Sequence, residues 1–514
     1  MKNNIKKIIF LLFITLFMFL LVAYFKKPIT KEVDTTITYN IYTKPSTIDP
    51  HQFRDMLSVE LMNEVYEGLL REDKDGNFIP ALSSSYSISD DKLTYTFKIR
   101  KDAKYSDGSS VTADDVVNGF IRALDPHTAA RYAEMLFPIV NAEEYNAGKV
   151  SAKEVGVKKI DENTVVLKLN RFVPYFNYIL TLPISYPIAD KFKDDIADIN
   201  TALYNGPYLI KKMNDDEIIL EKNKFYWNSN NVEIKNVKFA VVKNYAVVEN
   251  LIKNDELDLT RLEPFDFETK RKNKELMTYQ NGRAWFIGFN MENEILNKVE
   301  NRLAISHAID RNKYVKDVKD DGSVASKSII STLLGDYRKN YPDKDFFEDN
   351  IKSDILKGKK LRLLTGNTTS EVKEANFLQE ELRVKLGLIV EVLTVNYSDR
   401  LALTRLGNYD MVLDTYGPKF NDPLTMLYRF NRNKPHFNAW NKEKYSDLIK
   451  QIEVETNKEK RQKLINEAEH ILIDEAVIVP LYYSTENWFI RNKYKNIIVH
   501  PISNTMDIHE IKVK

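Results

Sequence analysis

Adjacent carboxylates such as Asp90-Asp91, Asp114-Asp115 and Asp215-Asp216, and seven histidines, at 51, 127, 307, 436, 470, 500 and 509, are residues of this 514-residue chain that could move protons or hold a metal. Their spacing favours neither task. No two histidines form a His-x-x-x-His pair, the helical spacing that puts two imidazoles on one ion. Neighbouring carboxylates serve acid–base chemistry only where a fold turns both toward one substrate. Here the first and third pairs sit in turn-forming sequence, and the second opens a helix, where negative charge complements the helix dipole. The chain has no cysteine, which excludes disulfides, thiolate metal sites and a cysteine nucleophile. Gly-x-Ser-x-Gly, the phosphate-binding Gly-rich loop and the dinucleotide fingerprint are missing too, so acyl transfer, nucleotide hydrolysis and hydride transfer lack their usual motifs. No enzyme is expected, no cofactor and no metal.

The elements that would position a binding site are easier to read. From Asp90 to Gly108, Leu93, Tyr95, Phe97 and Ile99 alternate with Thr94, Thr96, Lys98 and Arg100. That period of two predicts a half-buried strand. Asp107-Gly108 turns the chain, and Thr112 to Asp115 has the spacing of a capping box, which predicts a helix start. Val116, Val117, Phe120, Ile121 and Leu124 give that helix an apolar stripe, and Asp125-Pro126 ends it. Val165–Leu169 reads as a strand after the turn Asp161-Glu162-Asn163. Val299, Leu303, Ile305, Ala308 and Ile309 predict a helix ending near Asp310. Strand Leu361–Leu364, helix Glu371–Leu386 and strand Leu388–Val395 alternate in the manner of an α/β layer. Tyr445, Leu448, Ile449 and Ile452, then Leu464, Ile465, Ala468, Ile471 and Leu472, are two more helical stripes.

Bulk properties narrow the class. The length implies more than one domain. With 75 basic and 74 acidic side chains there is no field to draw in nucleic acid. Ile8–Phe25 is an apolar run broken by Thr15 and flanked by Lys6-Lys7 and Lys26-Lys27. As a helix it would span roughly 27 Å, close to the hydrocarbon thickness of a bilayer. Its basic leading flank favours an N-terminus inside and the remainder exported. The segment reads as a retained signal-anchor or as a removed signal peptide.

An ordered set of short motifs then ties the chain to a family. Ser46-Thr47-Ile48-Asp49-Pro50-His51, Val65-Tyr66-Glu67-Gly68-Leu69-Leu70-Arg71, Asn205-Gly206-Pro207-Tyr208, Asn223-Lys224-Phe225-Tyr226-Trp227, Ala308-Ile309-Asp310-Arg311, Asn421-Asp422-Pro423 and Val479-Pro480-Leu481-Tyr482-Tyr483 follow one another from about residue 37 onward. Together with Asp90–Gly108, this series resembles the oligopeptide/dipeptide-binding (peptide/nickel) family of ABC transporter solute-binding proteins. The resemblance implies an α/β, two-lobed, type II periplasmic-binding-protein-like fold that closes about a hinge. It places the first lobe at 35–68, 186–285 and 485–514, an inserted subdomain at 69–185 and the second lobe at 286–484, after an N-terminal segment 1–34. It implies a monomer that holds an extended peptide between its lobes by strand-like hydrogen bonds and delivers it to permease subunits driven by cytoplasmic ATPases. Relatives also take nickel complexes, haem, oligosaccharides or signalling peptides, and these stay open as alternatives, as do an exported hydrolase and a stand-alone peptide sensor. Many relatives are lipid-anchored through a cysteine; here Tyr24 follows Leu21-Val22-Ala23, so that route is closed.

The same resemblance nominates ligand-binding residues. Tyr132 matches an aromatic lining the cleft from the inserted subdomain. Tyr397 and Tyr416 fall where tryptophans often flank side-chain pockets. Asp414, Gly417, Lys419 and Asn421 surround the stretch where peptide-binding relatives carry an aspartate for the peptide's α-ammonium. Lys419 stands at that aspartate's place and reverses its charge, unless a carboxylate such as Asp414 or Asp422 neutralises it. Lys44 occupies a position that is commonly glutamate. The aromatic rings could instead be core, and the lysines ordinary surface residues.

Overall fold

The computed structural model describes residues 35–189, 198–262, 273–334, 354–431, 440 and 443–514. The apolar run Ile8–Phe25 lies outside them; among the described residues no helix is long and apolar enough to cross a membrane.

Two strands of unusual length, Leu276–Phe289 and Ile478–Ile490, run antiparallel through the middle of an eleven-stranded sheet. On one side of them lie Met411–Tyr416, Lys360–Gly366 and Ile389–Val395 in that order, the last three mutually parallel. On the other side come Leu259–Arg261, Thr36–Ile41, Asn236–Val241, Glu217–Lys222 and Tyr208–Met213. The two flanks feed different hydrophobic cores. Tyr39, Leu61, Tyr208, Val237 and Trp488 pack in the first. Phe286, Leu363, Leu378, Met426, Leu472 and Tyr482 pack in the second.

A separate antiparallel sheet, in the order Ser83–Ile88, Thr94–Ile99, Thr164–Lys168 and Val157–Asp161, shares the first core. Its second strand is the one read from alternation, with Tyr95, Phe97 and Ile99 buried. The helix Ala113–Leu124 starts where expected. The Thr112 hydroxyl accepts from the Asp115 amide while the Asp115 carboxylate accepts from the Thr112 amide at 2.8 Å. Val116, Phe120 and Leu124 are buried and Val117 and Ile121 half-buried, so the predicted stripe is the packed face.

In the second core, the helix Thr369–Leu386 between the parallel strands is capped by Thr368 and ends at Gly387 in the left-handed region, φ +61°. One boundary differs from the expected one. The helix Val299–His307 stops before Ala308 because the Asp310 carboxylate caps a new helix, Arg311–Tyr314, by accepting from the Lys313 amide. The buried Arg311 guanidinium then takes the Ser306 and Ile309 carbonyls of the break and, through Nε, the Pro480 carbonyl at 2.6 Å. Of the two late stripes, Leu464 and Ile471 are half-buried and the others buried.

Buried polar pairs fasten elements far apart in sequence. Asp49 holds Arg122 through two hydrogen bonds of 2.9 and 2.7 Å. His51 lies 3.0 Å from the same guanidinium, and burial lowers its pKa to about 4, so the imidazole is neutral. Glu67 accepts from Tyr226 and Trp227 at 2.6 and 2.7 Å, and Asn205 bonds both backbone groups of Glu67. Gly206 fits here because a Cβ would lie 2.6 Å from the Val65 and Tyr66 backbone. Asp422 caps the helix Leu424–Asn431 and pairs with Arg461 through two 2.8 Å bonds, both side chains nearly fully buried. At the C-terminus, Glu64 accepts from the Ile508 and His509 amides and lies 3.2 Å from His509 Nδ1.

Two predictions follow from these pairs. Asp422→Ala strands a buried guanidinium and should destabilise the protein by about 3–5 kcal/mol in denaturant titrations, with much of that recovered when Arg461→Met is added. A loss below about 1 kcal/mol would mean the pair is not a structural tie. Burial alone would depress His509, but the Glu64 carboxylate more than offsets it and lifts the pKa to about 9. A raised imidazole pKa gives stability that is complete below the ordinary 6.5 and lost as pH climbs through about 9. The melting-temperature gap between wild type and His509→Gln should therefore narrow across that window, and a pH-independent gap would refute a charge-dependent tie.

Candidate functional site

The two cores exchange on the long strands, and the strands are irregular there. Tyr279 and Trp488 pack with the first core, Ala284 and Tyr483 with the second. Between them the pairing register slips, from Gln280 opposite Thr485 to Ala284 opposite Tyr483. Such a bulge leaves backbone groups without ladder partners. Asn281, itself buried, satisfies one of them: its carbonyl oxygen accepts from the Arg283 amide at 3.0 Å, and also from the Ser484 hydroxyl at 3.0 Å, while its amide donates to Glu486 at 3.1 Å. Gly282 has φ +69°, and a Cβ on it would sit 3.1 Å from Pro418 Cγ. The left-handed φ favours glycine, and the near approach of Pro418 leaves little room for a side chain.

Pro418 belongs to the nominated segment, so the crossing and the site share one place. The strand Met411–Tyr416 ends with Tyr416 opposite Ala284. The loop then runs Gly417-Pro418-Lys419-Phe420-Asn421 into the Asp422 cap. The Lys419 amide donates to the Thr425 hydroxyl at 2.9 Å, while its side chain is exposed. Asn421 is half-buried. Asp414 forms an ion pair with Arg429, whose guanidinium also lies 5.0 Å from the Tyr416 ring centre and 5.8 Å from that of Phe286. Asp422 is held by Arg461. Asp414 and Asp422 are thus each engaged by an arginine.

A side-chain contact joins the cores beside this loop. Tyr175, which packs against the first core after the four-stranded sheet, stacks on Phe420 with ring centres 3.8 Å apart and planes 16° from parallel. The nearby Tyr428 donates to Glu453 at 2.7 Å. Burial raises the pKa of both phenols, so both stay neutral.

The other nominated residues are dispersed. Tyr132 is half-buried and stacked on Phe53 at 4.8 Å, on the first core. Lys44 is exposed in the loop after Thr36–Ile41 and pairs with exposed Asp215. Tyr397 is 66% exposed, which removes it from the core. It opens the helix Tyr397–Leu406, with Arg400 5.5 Å from its ring centre. Among the described residues, Tyr397 has no hydrogen bond or ring contact to Tyr416, Lys419 or Asn421. Sequence reasoning missed Tyr175, Asn281, Arg283 and Arg429. Asn281-Gly282 inside an apolar run was the available sign, since that dipeptide marks turns and bulges; Tyr175 and Arg429 carry no local signal.

The paired acids have structural partners: Asp91 accepts from the Ser89 hydroxyl and Leu93 amide, Asp114 pairs with Lys159, and Asp115 completes the capping box. Among the described residues no group of three or more His, Asp or Glu is placed to hold a metal.

Comparison with known proteins agrees with this architecture. Residues 77–438 match the family model for the middle region of bacterial extracellular solute-binding proteins, family 5. The chain is 28% identical over 496 residues to the oligopeptide-binding protein OppA of Bacillus subtilis, covering 90% of each. It is 29% identical over 490 residues to the dipeptide-binding protein DppE of the same organism, covering 90% of this chain and 89% of that one. Among solved structures, the substrate-binding domain of an oligopeptide ABC transporter from Bacillus anthracis superposes with a TM-score of 0.73 at 28% identity, over 94% of this chain and 99% of that one. With a two-lobed α/β frame in place and most of its length matched, the chain belongs to family 5 of the bacterial extracellular solute-binding proteins.

Proposed function

We propose that this protein is the exported substrate-binding subunit of a peptide-type ABC importer, and that it captures a peptide or peptide-like ligand between its two lobes. The likeness to peptide-binding relatives over nine-tenths of the chain carries the reading. The first lobe would comprise 35–68, 186–285 and 485–514, with the insertion 69–185, and the second lobe 286–484. The change of core between Tyr279 and Ala284 and between Tyr483 and Trp488 supports a hinge there. Two strands that cross at a bulge can bend without losing the ladders on either side. The loop Tyr416–Asn421 lies against that crossing, so ligand held there would touch the element that moves. Opening the lobes must break the Tyr175–Phe420 stack, and a ligand would compensate by bridging them.

A mixed tri- to pentapeptide library should raise the melting temperature by mass action and reduce the radius of gyration in solution scattering. Tyr416→Ala should weaken peptide binding by about 1–3 kcal/mol while leaving a folded protein. No thermal shift and no compaction with any peptide pool would overturn the reading.

Lys419 sets which peptide ends are accepted. At 4 Å and an effective dielectric near 20, two unit charges interact by roughly 4 kcal/mol, so a cation at this place should disfavour a free α-ammonium even after strong screening. Matched peptides with free and acetylated N-termini, titrated by calorimetry, should show wild type preferring the acetylated form and Lys419→Asp preferring the free amine. A wild-type preference for free amines that Lys419→Asp does not strengthen would remove Lys419 from the role.

A further inference from the structure

We infer that Arg283 is a specificity-determining residue of the cleft, placed to receive a carboxylate carried near the ligand's N-terminal end. The inference rests on the interlobe site proposed above and narrows its ligand to an acidic class.

Arg283 leaves the bulge at the crossing with its backbone fixed on both sides. Its amide donates to Asn281, and its carbonyl accepts from the Ser484 hydroxyl at 3.4 Å. The base of the side chain is therefore set before any ligand arrives. The side chain is exposed and reaches Gly417: a Cβ on that glycine would lie 3.4 to 3.6 Å from Nη2, Cζ and Nε, an ordinary contact against the guanidinium. The guanidinium thus lies along the backbone of the nominated loop, two residues before Lys419.

The surrounding charges leave Arg283 unneutralised. Asp414 is held by Arg429 and Asp422 by Arg461, and Glu486 accepts from the Asn281 amide and faces the charge of Arg261. Among the described residues the Arg283 guanidinium makes no ion pair and no hydrogen bond. Arg429, by contrast, sits between a carboxylate and two rings and is largely buried. Of the two arginines beside this loop, Arg429 on the helix Leu424–Asn431 is structural and Arg283 on the long strand is presented. A guanidinium edge offers parallel N–H groups that fit a carboxylate bidentately, which a lysine cannot do. An exposed guanidinium against this loop would repel a peptide amine and attract an acid.

The test uses the full protein and one tetrapeptide pool in three forms: free amine, N-acetyl and N-succinyl. The acetyl and succinyl forms both remove the α-ammonium, and the succinyl form alone adds a carboxylate. Wild type should bind the succinyl form about tenfold or more tighter than the acetyl form, as a charge-assisted bond implies. Arg283→Gln should erase that advantage while leaving the acetyl affinity and melting temperature unchanged, and Arg283→Lys should retain part of it. Equal succinyl and acetyl affinities in wild type overturn the inference while the peptide-binding reading stands. A succinyl preference that survives Arg283→Gln but is lost in Lys419→Gln assigns the carboxylate to the lysine and overturns it as well. Failure of all three forms to bind defeats the peptide-binding reading and this inference together.

Discussion

The pairing of Leu276–Phe289 with Ile478–Ile490 is the interaction on which the architecture depends. A ladder that runs through two cores must serve two packings with one register, and the strands would have to be straight and matched throughout to do so without adjustment. They are not: the register slips between Gln280 and Ala284. The slip lets each half of the ladder follow its own core. It also exposes backbone groups in a partly buried place, where an unpaired N–H or carbonyl is costly. Asn281 satisfies one of these groups, the Arg283 amide, and ties the neighbouring strand by accepting from the Ser484 hydroxyl and donating to the Glu486 carboxylate.

The motifs that mark the family in sequence are the fastenings around that ladder rather than the site. Asn205 and Glu67 join the Tyr66 and Tyr208 regions, and Glu67 collects Tyr226 and Trp227. Asp49 ties the start of the first core to Arg122 on the inserted helix. Arg311 caps a helix break and grips Pro480 on the long strand. Asp422 positions the helix after the candidate loop and satisfies Arg461. Each is a buried charge or amide whose partner is tens to hundreds of residues away. Removing one member leaves the other buried and uncompensated, which makes these positions unforgiving.

That is why the fold was legible in local patterns while the long-range contacts around the candidate site were not. The strand over Tyr95–Ile99, the capped helix from Thr112 and the α/β alternation from Leu361 to Val395 follow from period and caps, which are local. The break after His307 carries a local sign, the Asp310 cap of the next helix, but the Arg311 contact with Pro480 that fastens it is one no local pattern reveals. At the site, the resemblance pointed to Asp414, Tyr416, Gly417, Lys419 and Asn421, which are contiguous in space because they are nearly contiguous in sequence. Lys44, Tyr132 and Tyr397 were nominated by the same reasoning, and the structure gives them separate surroundings. Tyr175 and Arg283 reach the loop only through the way the two cores meet, a relation that single-sequence patterns do not encode.

A division of labour among charges follows from this arrangement. Arg429 and Arg461 each engage a carboxylate beside the loop, so neither Asp414 nor Asp422 is left to pair with Arg283, whose guanidinium makes no ion pair among the described residues. Because the scaffold pairs are buried and the Arg283 and Lys419 side chains are exposed, substituting the latter two would alter the field at the proposed cleft with little effect on folding. Ligand preference can therefore change through one or two exposed residues while the crossing strands and their fastenings stay as they are.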